Sequence, residues 1–253
     1  MKPVPFYDDS SYDYKKYWQE RKYEDEADRM ALKKLLRFIP HPHQKIILDL
    51  GCGFGRLTPL YAPLFKKCLL IDPSQRLLKE AKKLKKKYPH LDFKKAFAEK
   101  LPLKNKRVEV ILFIRACHHL QSLQPVVKEL SRVLKPGGFL ILEFANKIHI
   151  KSVIRAVFKK KLNYLLSHLP ESISTDKEVP FFNYHPTHVK SLLLANDFKI
   201  IKGLSVSNFR NRLFKKIFPL KLLLWLENLA QEVLASFSFG PSIFLFCQKG
   251  QKT

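Results

Sequence analysis

Apolar residues along this chain follow two alternating rhythms. Short runs rich in Ile, Leu and Val recur between longer stretches in which apolar side chains return every third or fourth position. The short runs have the length of buried strands, and the longer ones have the period of amphipathic helices. Strands are predicted near 46–50, 67–72, 91–96, 108–114 and 138–144, then over Phe198–Val206 and Pro241–Gln248. Helices are predicted near 55–64, 74–87, 122–134 and 186–195, the last closed by Asn196 in a left-handed conformation. Strand and helix in turn is the pattern of a doubly wound α/β sheet. Ahead of it, Tyr17–Phe38 has helical spacing and stops before Pro40, whereas residues 1–16 read as a loose segment.

The first strand is followed by the most informative turn in the chain. Ile46-Ile47-Leu48-Asp49-Leu50 runs into Gly51-Cys52-Gly53-Phe54-Gly55-Arg56, three glycines spaced two apart at a strand-to-helix junction. Backbone this bare lets a ligand come close. A dinucleotide fingerprint would require glycine at position 56, where Arg56 stands. The next strand ends in Asp72, followed by Pro73 and Ser74. Ser74 suits the cap of the following helix, which leaves Asp72 to accept both hydroxyls of a ribose at the switch point of the sheet.

The Asp49, Gly51, Gly53, Gly55 pattern resembles the first motif of class I S-adenosylmethionine-dependent methyltransferases, and further matches follow in order. Phe97-Ala98-Glu99-Lys100-Leu101-Pro102 resembles the segment that holds the adenine, with Phe97 where the family has an acid. Arg115-Ala116-Cys117-His118-His119-Leu120 is similar to a stretch of the type 11 methyltransferase group. Leu134-Lys135-Pro136-Gly137-Gly138 resembles the turn into the fifth strand. The resemblance implies a Rossmann-like, doubly wound seven-stranded sheet, its last strand antiparallel between the fifth and sixth. It implies S-adenosylmethionine as cofactor, bound by Asp49, Gly51, Cys52, Gly53, Gly55, Asp72, Pro73, Phe97, Ala98, Glu99 and Arg115. The expected domains are a segment and lid helix over 1–40 and a methyltransferase domain over 41–253.

That domain carries two insertions, 145–185 and 208–238, expected to be helical caps near the carboxyl edge of the sheet. In the first, Ile150, Val153, Ile154, Val157 and Phe158 form one apolar stripe while Lys147, Lys151, Arg155 and Lys159 form another, basic one. The second combines Phe209, Leu213, Phe214, Ile217 and Phe218 with Arg210, Arg212, Lys215 and Lys216, then an apolar helix from Leu220 to Phe237. The formal charge of +25 leaves nucleic acid, an anionic membrane surface or an acidic partner open. Basic amphipathic helices favour peripheral contact with an anionic membrane over nucleic acid. Four cysteines without paired spacing, no apolar leader and no run of membrane-spanning length point to a cytoplasmic protein.

A methyl group on a sulfonium is already activated, so orientation and desolvation carry most of the rate and no catalytic triad is needed. None is present. An acceptor that loses a proton would need a base; His118 and His119 are the candidates, with His185 from the cap side. The amino-methylation motif is missing after the fourth strand, Cys117 lacks the proline of a cytosine C5 nucleophile, and His41 and His43 lack metal-ligand spacing. The sequence therefore points to methylation of a small amphiphilic acceptor such as a quinone, isoprenoid, lipid-linked sugar or polyketide. The alternatives are an RNA methyltransferase and a non-catalytic scaffold.

Overall fold

Both faces of the central strands are buried, which is why their sequences are nearly continuous runs of apolar residues rather than alternating ones. The computed structural model describes residues 6–8, 13–173 and 180–251. Helices α1 (Tyr14–Gln19) and α2 (Lys22–Leu36) precede β1 (Ile46–Leu50). The alternation continues through α3 (Thr58–Tyr61), β2 (Lys67–Asp72), α4 (Gln75–Lys82), β3 (Leu91–Lys95), β4 (Val108–Phe113), α5 (Gln124–Val133) and β5 (Leu134–Ala145). The first insertion holds α6 (Ile150–Phe158), α7 (Leu162–Leu166) and the short pair β6 (Glu171–Ser172) and β7 (Phe182–Asn183). Then come α8 (Pro186–Leu194), β8 (Phe198–Val206), α9 (Arg212–Ile217), α10 (Leu220–Val233) and β9 (Ser242–Lys249).

Seven strands form one sheet in the order β3-β2-β1-β4-β5-β9-β8. β9 runs antiparallel between β5 and β8, as the resemblance implied. Neighbouring residues of β1 enter opposite cores: Ile47 packs with Ala31, Leu35 and Leu70, and Leu48 with Ile71, Phe113 and Val127. The chain turns one way from β1 to β2 and the other way to β4, so the switch point lies between β1 and β4. Ligands of open α/β sheets bind in the crevice outside the carboxyl ends at such a point.

Several local expectations are corrected. The helix anticipated over Tyr17–Phe38 is two helices. Asp13 caps α1 by accepting from the Lys15 and Lys16 amides, and the chain breaks at Arg21, whose backbone is not helical. The segment expected to be loose is in part anchored: Asp8 accepts from the Ser74 hydroxyl at 2.6 Å and the Arg76 amide at 3.1 Å. Residues 1–5 and 9–12 lie outside the described residues. The left-handed residue after α8 is Asp197, not Asn196, whose side-chain amide instead donates to the Leu192 carbonyl. The first insertion, of which 174–179 lie outside the described residues, adds a two-stranded ladder to the expected helices. Within it, α6 buries Ser152 and Ala156 and exposes Ile154, Val157 and Phe158 of the apolar stripe.

Candidate active site

The glycine turn clasps the end of β2. The amide of Gly51 donates to the Ile71 carbonyl at 2.7 Å, which requires the left-handed φ of +71° that glycine adopts without cost. A Cβ there would stand 2.7 Å from that of Ala116, so the turn is also packed tightly against the loop after β4. Beside it, Asp72 accepts from the Gly53 amide through Oδ2 and from the Ser74 amide through Oδ1, both at 2.8 Å. A carboxylate oxygen has two lone pairs, so each oxygen of Asp72 keeps one. Burial pushes its pKa up to about 6 against the two amide hydrogen bonds, and the nearby Asp8 charge adds to the rise. Ser74 caps α4 as expected, accepting from the Leu77 amide at 3.1 Å. A buried, half-satisfied carboxylate beside a bare backbone turn fits the ribose and methionine portions of S-adenosylmethionine.

Asp49 is buried on β1, two residues before Gly51, where Tyr61 donates to it at 2.6 Å. Burial raises its pKa to about 6, opposed by that hydrogen bond, with the Asp72 charge adding to the rise. Asp49, Gly51, Cys52, Gly53 and Arg115 line one cavity together with Tyr14, Phe54 and Arg56. The space they enclose is about 20 Å³, the room of a single water. It is small because α1 lies over it: Tyr14 rests against Gly53 and meets Phe54 edge-on at 5.7 Å between ring centroids.

Arg115 has partners that the sequence did not reveal. With φ at +57°, it aims its guanidinium at Asp28 of α2, donating from Nε at 3.0 Å and Nη2 at 2.6 Å. Glu143 accepts its backbone amide at 2.8 Å. Burial alone would lower its pKa, but Asp28 and then Glu143 overcome that and raise it. Arg56 pairs with Asp25 and, at 2.9 Å, with Asp28, and its guanidinium lies 3.6 Å from the centre of the Trp18 ring. Helix α2 thus contributes a carboxylate pair that fixes both arginines at the mouth of the cavity.

The remaining candidates form two groups. Phe97, Ala98 and Glu99 follow β3 next to the end of β2, where the Ala96 amide donates to the Asp72 carbonyl at 3.3 Å. Phe97 is 37% exposed, so it is a surface ring over that loop and not part of the core. His118 and His119 form a short turn after β4. His118 is buried and stacks on Phe181 at 4.4 Å. Burial, then the neighbouring His119 and Arg115, pushes its pKa well down. His119 is hydrogen-bonded through Nε2 to the Tyr7 hydroxyl at 2.8 Å and through Nδ1 to the Pro180 carbonyl at 3.3 Å. Only one tautomer satisfies both, with Nδ1 donating to the carbonyl and Nε2 accepting from the phenol. Burial lowers its pKa to about 4. Tyr7 is 112 positions away in sequence and carried no motif to mark it. His185 caps α8, accepting from the Thr187 amide at 3.2 Å, and its ring stacks on His168. Cys117 is fully buried and its thiol pKa is pushed well up by burial, which disarms it as a nucleophile. Among the described residues no group of His, Cys, Asp or Glu is arranged to hold a metal ion.

Comparison with known proteins agrees with this geometry. A family model described as a methyltransferase domain of type 11 matches residues 48–142. Demethylmenaquinone methyltransferase of Chlorobaculum tepidum is 31% identical over 180 residues, 69% of this chain and 70% of that protein. The ubiquinone/menaquinone biosynthesis C-methyltransferase UbiE of Campylobacter jejuni is 26% identical over 212 residues, 80% of this chain and 78% of that protein. The fold matches a solved methyltransferase from Thermotoga maritima with a TM-score of 0.64 at 18% identity, over 93% of this chain and 94% of that one. Motif, topology and relatives converge, and the chain belongs to the class I S-adenosylmethionine-dependent methyltransferases, in the type 11 group, enzymes whose cofactor is S-adenosylmethionine.

Proposed function

We propose that this enzyme methylates a small, amphiphilic acceptor of the quinone kind, held between the glycine turn and the wall built from Tyr7, His119 and Phe181. The observation that carries this reading is the composition of that wall: a buried imidazole stacked on an aromatic ring, with one neutral polar pair, Tyr7 and His119, at its edge. Such a surface suits a flat, largely apolar molecule with one polar oxygen. Two relatives that cover two thirds or more of this chain bear names of quinone methylation, which supports the same substrate class.

When bound, S-adenosylmethionine supplies a methyl group already activated by its sulfonium. Asp72 would take the ribose hydroxyls on its two remaining lone pairs, and the Gly51–Gly55 backbone would receive the methionine end, with Cys52 and Pro73 beside them. Asp49 supports the turn from below through its carboxylate. Arg115 and Arg56, their charge balanced by Asp28 and Asp25, would attract the carboxylate of the methionine portion. Ala98 and Glu99 would border the adenine, with Phe97 standing where the family has an acid. Tyr14 would have to move aside on binding, since 20 Å³ admits no nucleoside. His119, its pKa lowered to about 4, is neutral at pH 7 and too weak a base to hold a proton. It accepts from the Tyr7 phenol at Nε2 and so would orient that hydroxyl toward the acceptor oxygen, while His118 stacks on Phe181 beside it.

Radiolabelled S-adenosylmethionine offered together with a bacterial lipid extract, an aqueous metabolite pool and total RNA tests the proposal. Label is expected in the lipid-soluble fraction, with a demethylated naphthoquinol as the first pure acceptor to assay. Label confined to RNA or to the aqueous pool overturns it.

A further inference from the structure

Helix α6 is packed inside out. Its buried residues are Ser152 and Ala156, whereas Phe158 at its end is 84% exposed. The exposed apolar surface continues past the helix terminus, through Leu162 and Leu166 of α7, the latter 76% exposed. Helix α9 buries no residue and exposes Leu213 and Ile217, one turn apart, at 63% and 67%. Single exposed leucines are ordinary on a soluble protein, but clusters of this extent on helices that leave one edge of the sheet mark an interaction surface.

Charge around these clusters is of one sign. Residues 146–170 contain six basic and no acidic side chains, and residues 207–226 contain five basic and none acidic. Two of these cations are already engaged. Lys147, expected on the surface, is buried and donates to the Ser167 and Leu169 carbonyls, both at 2.9 Å, and Lys215 pairs with Glu24 at 2.6 Å. Lys159, Lys160 and Lys161 are exposed in the link between α6 and α7, and no ion pair forms to them among the described residues. Both insertions also leave the sheet at one place. α6 follows the carboxyl end of β5 and α9 that of β8, and Ala145 and Val206 both register with Ser242 of β9. That edge is also where the candidate active site opens, and the returning end of the first insertion places Phe181 against His118.

We infer that α6, α7 and α9 form a docking surface for an anionic lipid bilayer, with Phe158, Leu162, Leu166, Leu213 and Ile217 entering the interface and the lysines held at the headgroups. Basic helices with large apolar side chains outermost are what interfacial binding requires. A second copy of this chain is a poorer occupant, because the same lysines would face one another across the contact. RNA matches the charge but not the aliphatic surface, since single-stranded bases are held by stacking on aromatic rings and guanidinium planes. The docking stands apart from the cofactor site. Combined with the proposed function, it brings the mouth of the site next to the phase in which an amphiphilic acceptor is dissolved.

Co-sedimentation of the full chain with vesicles tests the inference. The wild type is expected to bind phosphatidylglycerol-containing vesicles at low salt, to leave them at high salt and to bind phosphatidylcholine vesicles far more weakly. Reversing the charge of Lys159, Lys160 and Lys161 to Glu is expected to weaken binding on the order of a hundredfold or more. The Phe158→Ser, Leu166→Ser double variant, altered only at exposed positions, is expected to weaken it by about tenfold or more. Calorimetry on the same preparations should give wild-type affinity for S-adenosylmethionine, which separates loss of docking from failure of the cofactor site. No binding at low salt, equal binding to both vesicle types, wild-type binding by the serine variant, or transfer of the wild type from vesicles to an RNA hairpin would each overturn the inference.

Discussion

Asp72 holds the glycine turn in place and, in the proposed function, also receives the ribose, and its protonation links the two. Its pKa of about 6 is the result of burial working against two amide donors. Only the carboxylate can accept from both ribose hydroxyls, so affinity for S-adenosylmethionine should be flat above pH 7 and fall as pH drops through 6, by about tenfold per unit below it. Stability of the free chain should respond in the opposite sense. A carboxyl whose folded pKa is raised contributes stability that is fully present below its unfolded value near 4 and lost as pH rises through 6. Calorimetric titrations between pH 5 and 8 check the first trend; affinity that does not change across that range would remove Asp72 from the ribose. Asp72 and the glycines were legible in the sequence because their chemistry is local and their spacing rigid. The Tyr7–His119 pair and the Arg115–Asp28 pair were not, because each joins residues that only the fold brings together.

Secondary elements were legible to the extent that burial enforced their pattern. The central strands β1, β2 and β4 appear near their expected places because each is apolar on both faces, whereas the edge strands β3 and β8 are buried only in part. The inward face of α6 was not legible, because small residues pack there while the apolar stripe points outward. What holds the second insertion is instead a buried polar knot. Glu227 of α10 accepts from Tyr23 of α2 at 2.6 Å and from the Ser207 and Asn208 amides at 2.8 and 2.9 Å. Burial raises its pKa, opposed by these same donors. Removing the acceptor leaves several buried donors unpaired, so Glu227→Ala should destabilise the chain by about 3 kcal/mol or more. Chemical denaturation measures this directly. A loss of a few tenths of a kcal/mol would mean that α10 is held by its apolar contacts with α2 and β8 alone.

On the scale of the whole molecule, the sheet order was not derivable from composition or periodicity. It followed from the resemblance to a family and is confirmed by the position of β9 between β5 and β8. The charge of +25 gave a class of partners and no location; the fold locates a share of it on two insertions at one edge of the sheet, beside exposed apolar side chains. In the proposed function one crevice, at the switch point between β1 and β4, would seat the cofactor on Asp72 and the glycine turn. Titration of S-adenosylmethionine into the wild type and Asp72→Asn at pH 7.5 tests it most directly. The asparagine preserves shape but gives up the charge and one acceptor oxygen, so affinity should fall by about tenfold to a hundredfold, as loss of one charge-assisted hydrogen bond of about 1.5–3 kcal/mol requires. Equal affinity in the two proteins, with the variant still folded, would contradict the account.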